Sequence, residues 1–165
     1  MNSFFSGLWY VVKSVVLEEL VFRGAIFYLL IQKIGFKKAI WVSALAFGVY
    51  HWFSYGIIGQ PVQMLIVLLM TGSVGYVLGL AYHRSKTLYL PIALHLGYNI
   101  ANMIIFSGEK SIGVQLLQKK YTVDPVEPAA WLGVPLLLLH YVGFQLVCYF
   151  LIKSIKESLA TNAQT

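Results

Sequence analysis

Five long apolar runs dominate this chain and leave little choice of fold. Windows of about 20 apolar residues, the length that crosses a bilayer as a helix, fall near 8–32, 38–58, 62–83, 88–106 and 130–152. The first four are separated only by "QKIGFKK", "GQP" and "HRSK". Inside lipid a backbone N–H or C=O finds no water, so a spanning segment must satisfy its own hydrogen bonds. A closed barrel does this with alternating segments of about ten residues. These runs are too long for that and do not alternate. The expectation is an all-α integral membrane protein of about five transmembrane helices, one membrane domain over 1–165. Its core covers about 9–105, an extra-membrane loop about 107–129 and a last helix about 130–152.

Composition agrees. Hydrophobic residues make up 59% of the chain and charged ones only 11%, less than half of the roughly 25% usual in soluble domains. The net charge of +6 does not point to nucleic acid. Its lysines and arginines sit at the ends of apolar runs rather than in a stripe with interleaved aromatics. Lys33, Lys37, Lys38, Arg84, Lys86, Lys153 and Lys156 fall on one side, whereas Lys110, Lys119 and Lys120 on the other are offset by Glu109, Asp124 and Glu127. The positive-inside rule then places the N-terminus outside and the C-terminus in the cytoplasm, in the plasma membrane. The start "MNSFFSGLWYVVK" lacks the basic n-region of a cleavable signal, and the final "NAQT" is not a prenylation box. Cys148 alone cannot form an internal disulfide and reads as a small core or lipid-facing residue.

Against this background the polar residues inside the runs carry the information. Each costs at least about 2.5–3.5 kcal/mol at mid-bilayer if it is Asp, Lys or Arg, so each needs a partner or a function. They are Lys13, Glu18, Glu19 and Arg23 in the first run, His51 in the second, His95 and Asn99 in the fourth, and His140 in the fifth. Counted from the basic ends at 1.5 Å per residue, Glu18, His51 and Asn99 lie at about 20–22 Å and His95 at about 14 Å. Three helices therefore carry polar groups at similar depth, as an active site requires.

Spacing refines the assignment. Glu19 and Arg23 are four residues apart on one face and read as a neutralised brace. Glu18 is rotated about 100° away, so its partner is expected on another helix, the histidines being the candidates. His95 and Asn99 share a face, as do Phe47 and His51. Lys13 snorkels outward, His83 reads as solvated at a loop edge, and His140 as structural. Gly75 and Gly79 have the small-xxx-small spacing of close helix packing, and Pro61 and Pro91 fall in first turns, where a missing N–H costs little.

A carboxylate, two imidazoles and an amide in a dry pocket suit attack of water on a carbonyl. Glu18 would be the general base, His51 would hold the water, and His95 and Asn99 would donate to the oxyanion. The same Glu18, His51 and His95 have the composition of a catalytic zinc shell, but no His-Glu-x-x-His helix supports it.

"EELVFRG" (Glu18, Glu19, Arg23), "FGVYH" (Phe47, His51) and "HLGYN" (His95, Asn99) resemble, in order and spacing, the EExxxR, FxxxH and HxxxN/D boxes of the CPBP intramembrane proteases. This is the CAAX-protease and bacteriocin-processing family. The resemblance runs from about Trp9 to Ile105 and includes the approach "TGSVGYVLGLAYHRSKTLYLPIALH". It implies an endopeptidase on a four-helix catalytic core, acting on prenylated (CAAX-type) proteins or other membrane-associated peptides, with membrane lipid around it. It implies Glu18 activating water with His51, and His95 and Asn99 at the oxyanion site. Glu19, Arg23 and Phe47 support them. The family's names include metalloprotease, yet the residues equally suit a metal-independent glutamate mechanism, which is the expectation here.

Relatives of this kind carry several helices before the glutamate box, whereas Met1 stands 17 residues ahead of Glu18. That departure points to a compact member or a truncated gene product and leaves room for a homo-oligomer. The competing expectations are a non-catalytic immunity or scaffold protein of the same fold and a small transporter with a proton-relay carboxylate.

Overall fold

The computed structural model of the protein describes residues 4–105 and 130–155. The expected loop at 107–129 and the tail after Lys156 lie outside them. Among the described residues all regular structure is helical. The first apolar run is one continuous rod in three parts: α1 (Phe4–Glu19), a π-helical stretch (Leu20–Phe27) and α2 (Tyr28–Ile34). α3 (Phe36–Ser54), α4 (Pro61–Ser85), α5 (Tyr89–Ile100) with a short π-helical extension (Ala101–Ile105), and α6 (Ala130–Ser154) follow. Gly35, at φ 73°, makes the turn between α2 and α3. Pro61 opens α4 and Pro91 lies in the first turn of α5, as expected.

The π stretch has a reason in the burial pattern. Gly7, Val11, Val15 and Glu19 are buried along α1, and Arg23 and Phe27 continue the series at the same four-residue step. In an α-helix four residues overshoot a turn by about 40°, so such a stripe would wind off the buried face. The wider i→i+5 turn of a π-helix counters that drift and returns Arg23 and Phe27 to the interior.

The helices alternate in direction and meet at two poles. At the basic pole the ring of Phe36, at the start of α3, stacks on His83, near the end of α4, with centroids 3.6 Å apart. His83 is thus a packed, partly buried ring, also 3.4 Å from Lys86 Nζ, rather than the freely solvated side chain its position suggests. Phe27, Ala39, Ile40, Leu80, Ala81, Cys148 and Ile152 fill this half as one apolar core, which places Cys148 inside. At the other pole Trp52 donates its indole N–H to the Met64 carbonyl at 2.8 Å, tying the end of α3 to the start of α4. Here α1 packs on α5 and its π-helical extension through Val11, Val15, Leu96 and Ile104.

α3 and α4 approach closely because small residues face each other. A Cβ on Gly75 would stand 3.2 Å from Ala44 Cα, and one on Gly79 3.3 Å from Ile40 Cγ1. The spacing of the two glycines therefore does serve packing. Gly48 is tighter: its Cβ would meet Leu68 Cδ1 at 2.6 Å and the Leu68 carbonyl at 3.0 Å.

Among the described residues large apolar side chains are exposed on several helices, with Phe5, Trp41, Phe53, Leu69 and Phe150 all more than half exposed. Large apolar side chains exposed on so many helices suit a lipid surrounding. α4 is long and apolar enough by itself to cross a membrane; among the described residues it is the one helix that is. The rod Phe4–Ile34 is divided by its π-helical stretch, and α3 carries Lys37, Lys38 and His51, which lower its apolar character.

The close approach of α3 and α4 makes a prediction. Gly48→Ala should destabilise the fold by about 1–3 kcal/mol through overpacking, seen as a lower thermal unfolding midpoint in detergent. Gly97→Ala, whose added carbon meets nothing within 4 Å, should leave that midpoint in place.

Candidate active site

The site begins with a buried charge. Glu19, fully enclosed, accepts from Arg23 Nη1 at 3.0 Å, the four-residue pair read from the sequence. The same Oε1 is 2.8 Å from His95 Nδ1 on α5. An ionised carboxylate only accepts, so His95 Nδ1 carries the proton and Nε2 is turned away from Glu19. Arg23 Nη2 donates to the Gly75 carbonyl on α4 at 3.1 Å. Its guanidinium carbon lies 4.4 Å from the centre of the Phe47 ring on α3, within cation–π range. Four helices thus converge on one ion pair.

Glu18 faces differently. Its Oε1 accepts from Ser14 Oγ at 3.0 Å, one turn back on the same helix. Its Oε2 is buried with no hydrogen-bond partner and stands 3.9 Å from His95 Nε2. That gap is too long for a hydrogen bond. The hydrogen-bonding partner expected from another helix is therefore a serine on its own helix, and the histidine stands off.

His51 is held by its own backbone. Nδ1 lies 2.8 Å from the Phe47 carbonyl; a carbonyl can only accept, so Nδ1 is the protonated nitrogen and Nε2 keeps its lone pair. Phe47 also touches both imidazoles with its ring, at 4.6 Å from His51 and 6.0 Å from His95. Through Phe47 the three sequence boxes become one physical unit.

Glu18, Phe47, His51, His95 and Asn99 line a single cavity of about 140 Å³, room for several water molecules. Tyr10, Ser14, Ser54, Tyr55, Thr71 and Tyr98 give it a hydroxyl-rich wall. Glu19 and Arg23 are fully buried and do not line it. The structure thus brings together every residue singled out in the first, second and fourth runs apart from Lys13, which is exposed. The side chain of His140 lies outside the described positions. Sequence reasoning missed Ser14 and the second bond of Glu19. The first had a signal: Tyr10, Ser14 and Glu18 follow one another at four-residue steps, hence on one stripe. The second joins residues 76 apart and had none.

Glu18, His51 and His95, the set with the composition of a zinc shell, do not fit one as arranged. Among the described residues no three His, Cys, Asp or Glu side chains group closely enough to hold a metal ion.

The central ion pair should behave as a coupled unit. Arg23→Met leaves Glu19 buried with His95 as its remaining partner and no permanent cation, and should cost about 3–5 kcal/mol, read as loss of folded protein in a detergent melt. Glu19→Met combined with Arg23→Met removes both charges and should recover most of that loss.

The family described as Type II CAAX prenyl endopeptidase Rce1-like matches residues 1–101. A curated protein of Bacillus subtilis (strain 168) named "Putative membrane peptidase YdiL" is 33% identical over 95 residues, which cover 56% of this chain and 34% of that relative. The chain thus spans about a third of the length of the curated relative it matches. No solved structure matches it. The matched region takes in Glu18, Glu19, Arg23, Phe47, His51, His95 and Asn99, and covers well over half of the chain: the protein belongs to the Rce1-like family of type II CAAX prenyl endopeptidases.

Proposed function

We propose that this membrane-embedded protein is an endopeptidase that hydrolyses peptide bonds of prenylated or other membrane-associated substrates by a glutamate-activated water. The observation that carries the reading is the free, buried Oε2 of Glu18 facing His95 in a small polar cavity. A carboxylate oxygen without a donor, in a site held by fixed hydrogen bonds, is poised to take a proton from water.

In this mechanism a water donates to Glu18 Oε2, and its oxygen attacks the scissile carbonyl carbon. Ser14 Oγ holds the other carboxylate oxygen, so the general base keeps one orientation. His51, with Nδ1 engaged by the Phe47 carbonyl, offers Nε2 as a second acceptor for the same water. The carbonyl oxygen becomes an oxyanion. The amide of Asn99 donates to it directly, and His95 does so once Nε2 has taken up a proton from solvent before the attack, a form stabilised by Glu19 at Nδ1. Glu18 then passes its proton to the leaving amine. Glu19, Arg23 and Phe47 touch none of the reacting atoms and act as positioning residues.

Five spans with the N-terminus outside and the basic pole in the cytoplasm are the topology that suits this reading. The basic pole joins Lys33, Lys37 and Lys38 to Arg84, Lys86 and Lys153, the asymmetry the positive-inside rule uses. A homo-oligomer would add walls to a cavity bounded here by few helices.

Glu18→Ala should abolish cleavage of a membrane-anchored peptide, a fall of at least about 10²–10⁴-fold for a lost general base, while the thermal midpoint stays near that of the parent. Cleavage retained by Glu18→Ala would overturn the mechanism. Partner binding or immunity that survives both Glu18→Ala and His51→Ala would favour the non-catalytic alternative.

A further inference from the structure

A second cavity, of about 420 Å³ against about 140 Å³ for the first, lies between the α3–α4 pair and α6. Trp41 and Leu45 of α3, Leu69 and Tyr76 of α4, and Leu146 and Tyr149 of α6 form its walls. Trp41, Leu45, Leu69 and Leu146 are more than half exposed, so the cavity is a groove that faces sideways, toward lipid. Ser73 and Gln145 also line it, and both turn to one backbone carbonyl. Ser73 Oγ donates to Met70 O at 2.7 Å, and Gln145 Nε2 points to the same oxygen from 3.5 Å. What the groove offers an occupant is therefore aliphatic side chains and aromatic rings. It shares no lining residue with the Glu18 cavity. Between the two, α3 and α4 close on each other where Gly75 meets Ala44.

The groove also has a direction. At about 1.5 Å per residue its lining runs from Trp41, about 5 Å from Lys38, past Gln145, about 12 Å from Lys153, to Leu68, about 24 Å from Arg84. It therefore follows more than half of a hydrocarbon core about 30 Å thick, the depth that a lipid chain of one leaflet covers. Its basic end carries a cation on each rim. Lys38, Trp41 and Leu45 share one face of α3, and Val142, Leu146, Tyr149 and Lys153 share one face of α6. Lys153 Nζ stands 5.8 Å from the centre of the Tyr149 ring, and the ring of Trp41 meets that of Tyr76 at 5.0 Å. Among the described residues this pole holds six lysines and arginines and no carboxylate.

We infer that this groove is a binding site for an anionic phospholipid of the bilayer, one acyl chain lying between α4 and α6 and the phosphate meeting Lys38 and Lys153. The apolar walls select the chain and the two lysines select the charge, as basic pockets between transmembrane helices do for anionic head groups. A second copy of the chain in the same orientation would bring its own basic pole alongside, like charge against like, whereas a phosphate brings the opposite sign. A chain seated in the groove ties α6 to the α3–α4 pair from the lipid side, as Cys148 and Ile152 do from the core. The site is independent of the peptide chemistry at Glu18.

The test is lipid titration of the full chain in a neutral detergent after co-purified lipid has been stripped. Dioleoylphosphatidylglycerol and dioleoylphosphatidylcholine are compared by native mass spectrometry and by the thermal midpoint. Phosphatidylglycerol should be retained and raise the midpoint, and phosphatidylcholine should bind at least about 10-fold more weakly. Lys38→Gln with Lys153→Gln, both at exposed positions, should weaken phosphatidylglycerol by about 5-fold for each lysine and about 30-fold together. Leu146→Trp, which fills the groove, should abolish the rise in midpoint, whereas Val62→Trp, exposed outside the groove, should keep it. Equal binding of the two lipids, or unchanged phosphatidylglycerol binding in the lysine pair, would overturn the inference. So would displacement of the lipid by farnesylcysteine methyl ester, which would make the groove part of the substrate site. A mass that falls from two chains to one in Leu146→Trp with lipid binding unchanged would make this face an interface between copies and also overturn it. Should Leu146→Trp not fold, the lysine pair and the competition decide.

Discussion

A carboxylate buried in a membrane protein must be neutralised close by, and in this chain the way Glu19 is neutralised organises everything else. Its Oε1 receives Arg23 from the same rod and His95 from α5, while Arg23 reaches on to Gly75 of α4 and lies over Phe47 of α3. One charge pair thereby fixes the mutual placement of all the helices that line the cavity. The pair is not arranged for maximal stability, since Glu19 Oε2 and Arg23 Nε have no hydrogen-bond partner and a well-packed apolar replacement of such a pair is often at least as stable. What it provides is orientation: His95 has its proton on Nδ1 and its other nitrogen toward Glu18.

The backbone is shaped to make that convergence possible. A stripe of buried residues at a strict four-residue step cannot remain on one face of an α-helix, and the π stretch from Leu20 to Phe27 is where the rod corrects it. Without that wider turn Arg23 would point away from Gly75 and Phe47. The glycine face of α4 does the matching work on the other side. With no side chain at Gly75, its carbonyl is open to the guanidinium and α3 can lie close enough for Phe47 to meet both imidazoles. π turns recur at functional sites, and in this protein the mechanical reason is visible.

The division between the two carboxylates follows from the same geometry. Adjacent residues on a helix point about 100° apart, so Glu18 and Glu19 cannot share surroundings. Glu19 takes a guanidinium and an imidazole on its Oε1 and does not line the cavity, whereas Glu18 has one serine donor and does line it. A pair of identical side chains thus separates into a structural anion and a group available for proton transfer. His51 and His95 separate in a parallel way, one oriented by a backbone carbonyl and the other by a carboxylate.

Much of this was legible in the residues alone. The length of the apolar runs sets an all-helical membrane fold, because lipid offers the backbone no other partner. The four-residue spacings of Glu19 with Arg23, Phe47 with His51 and His95 with Asn99 place each pair on a face, because helical geometry is local. The small-residue spacing at Gly75 and Gly79 marks a close contact for the same reason. Only the tertiary structure decided who meets whom across helices: His95 with Glu19 rather than with Glu18, His83 with Phe36, Arg23 with the carbonyl of Gly75. Those partners are separated by tens of residues, and their choice depends on how rods pack, on a π turn that no spacing announces, and on which carbonyl a missing side chain exposes. Sequence determines what each helix carries on each face; packing determines which of those faces share a cavity.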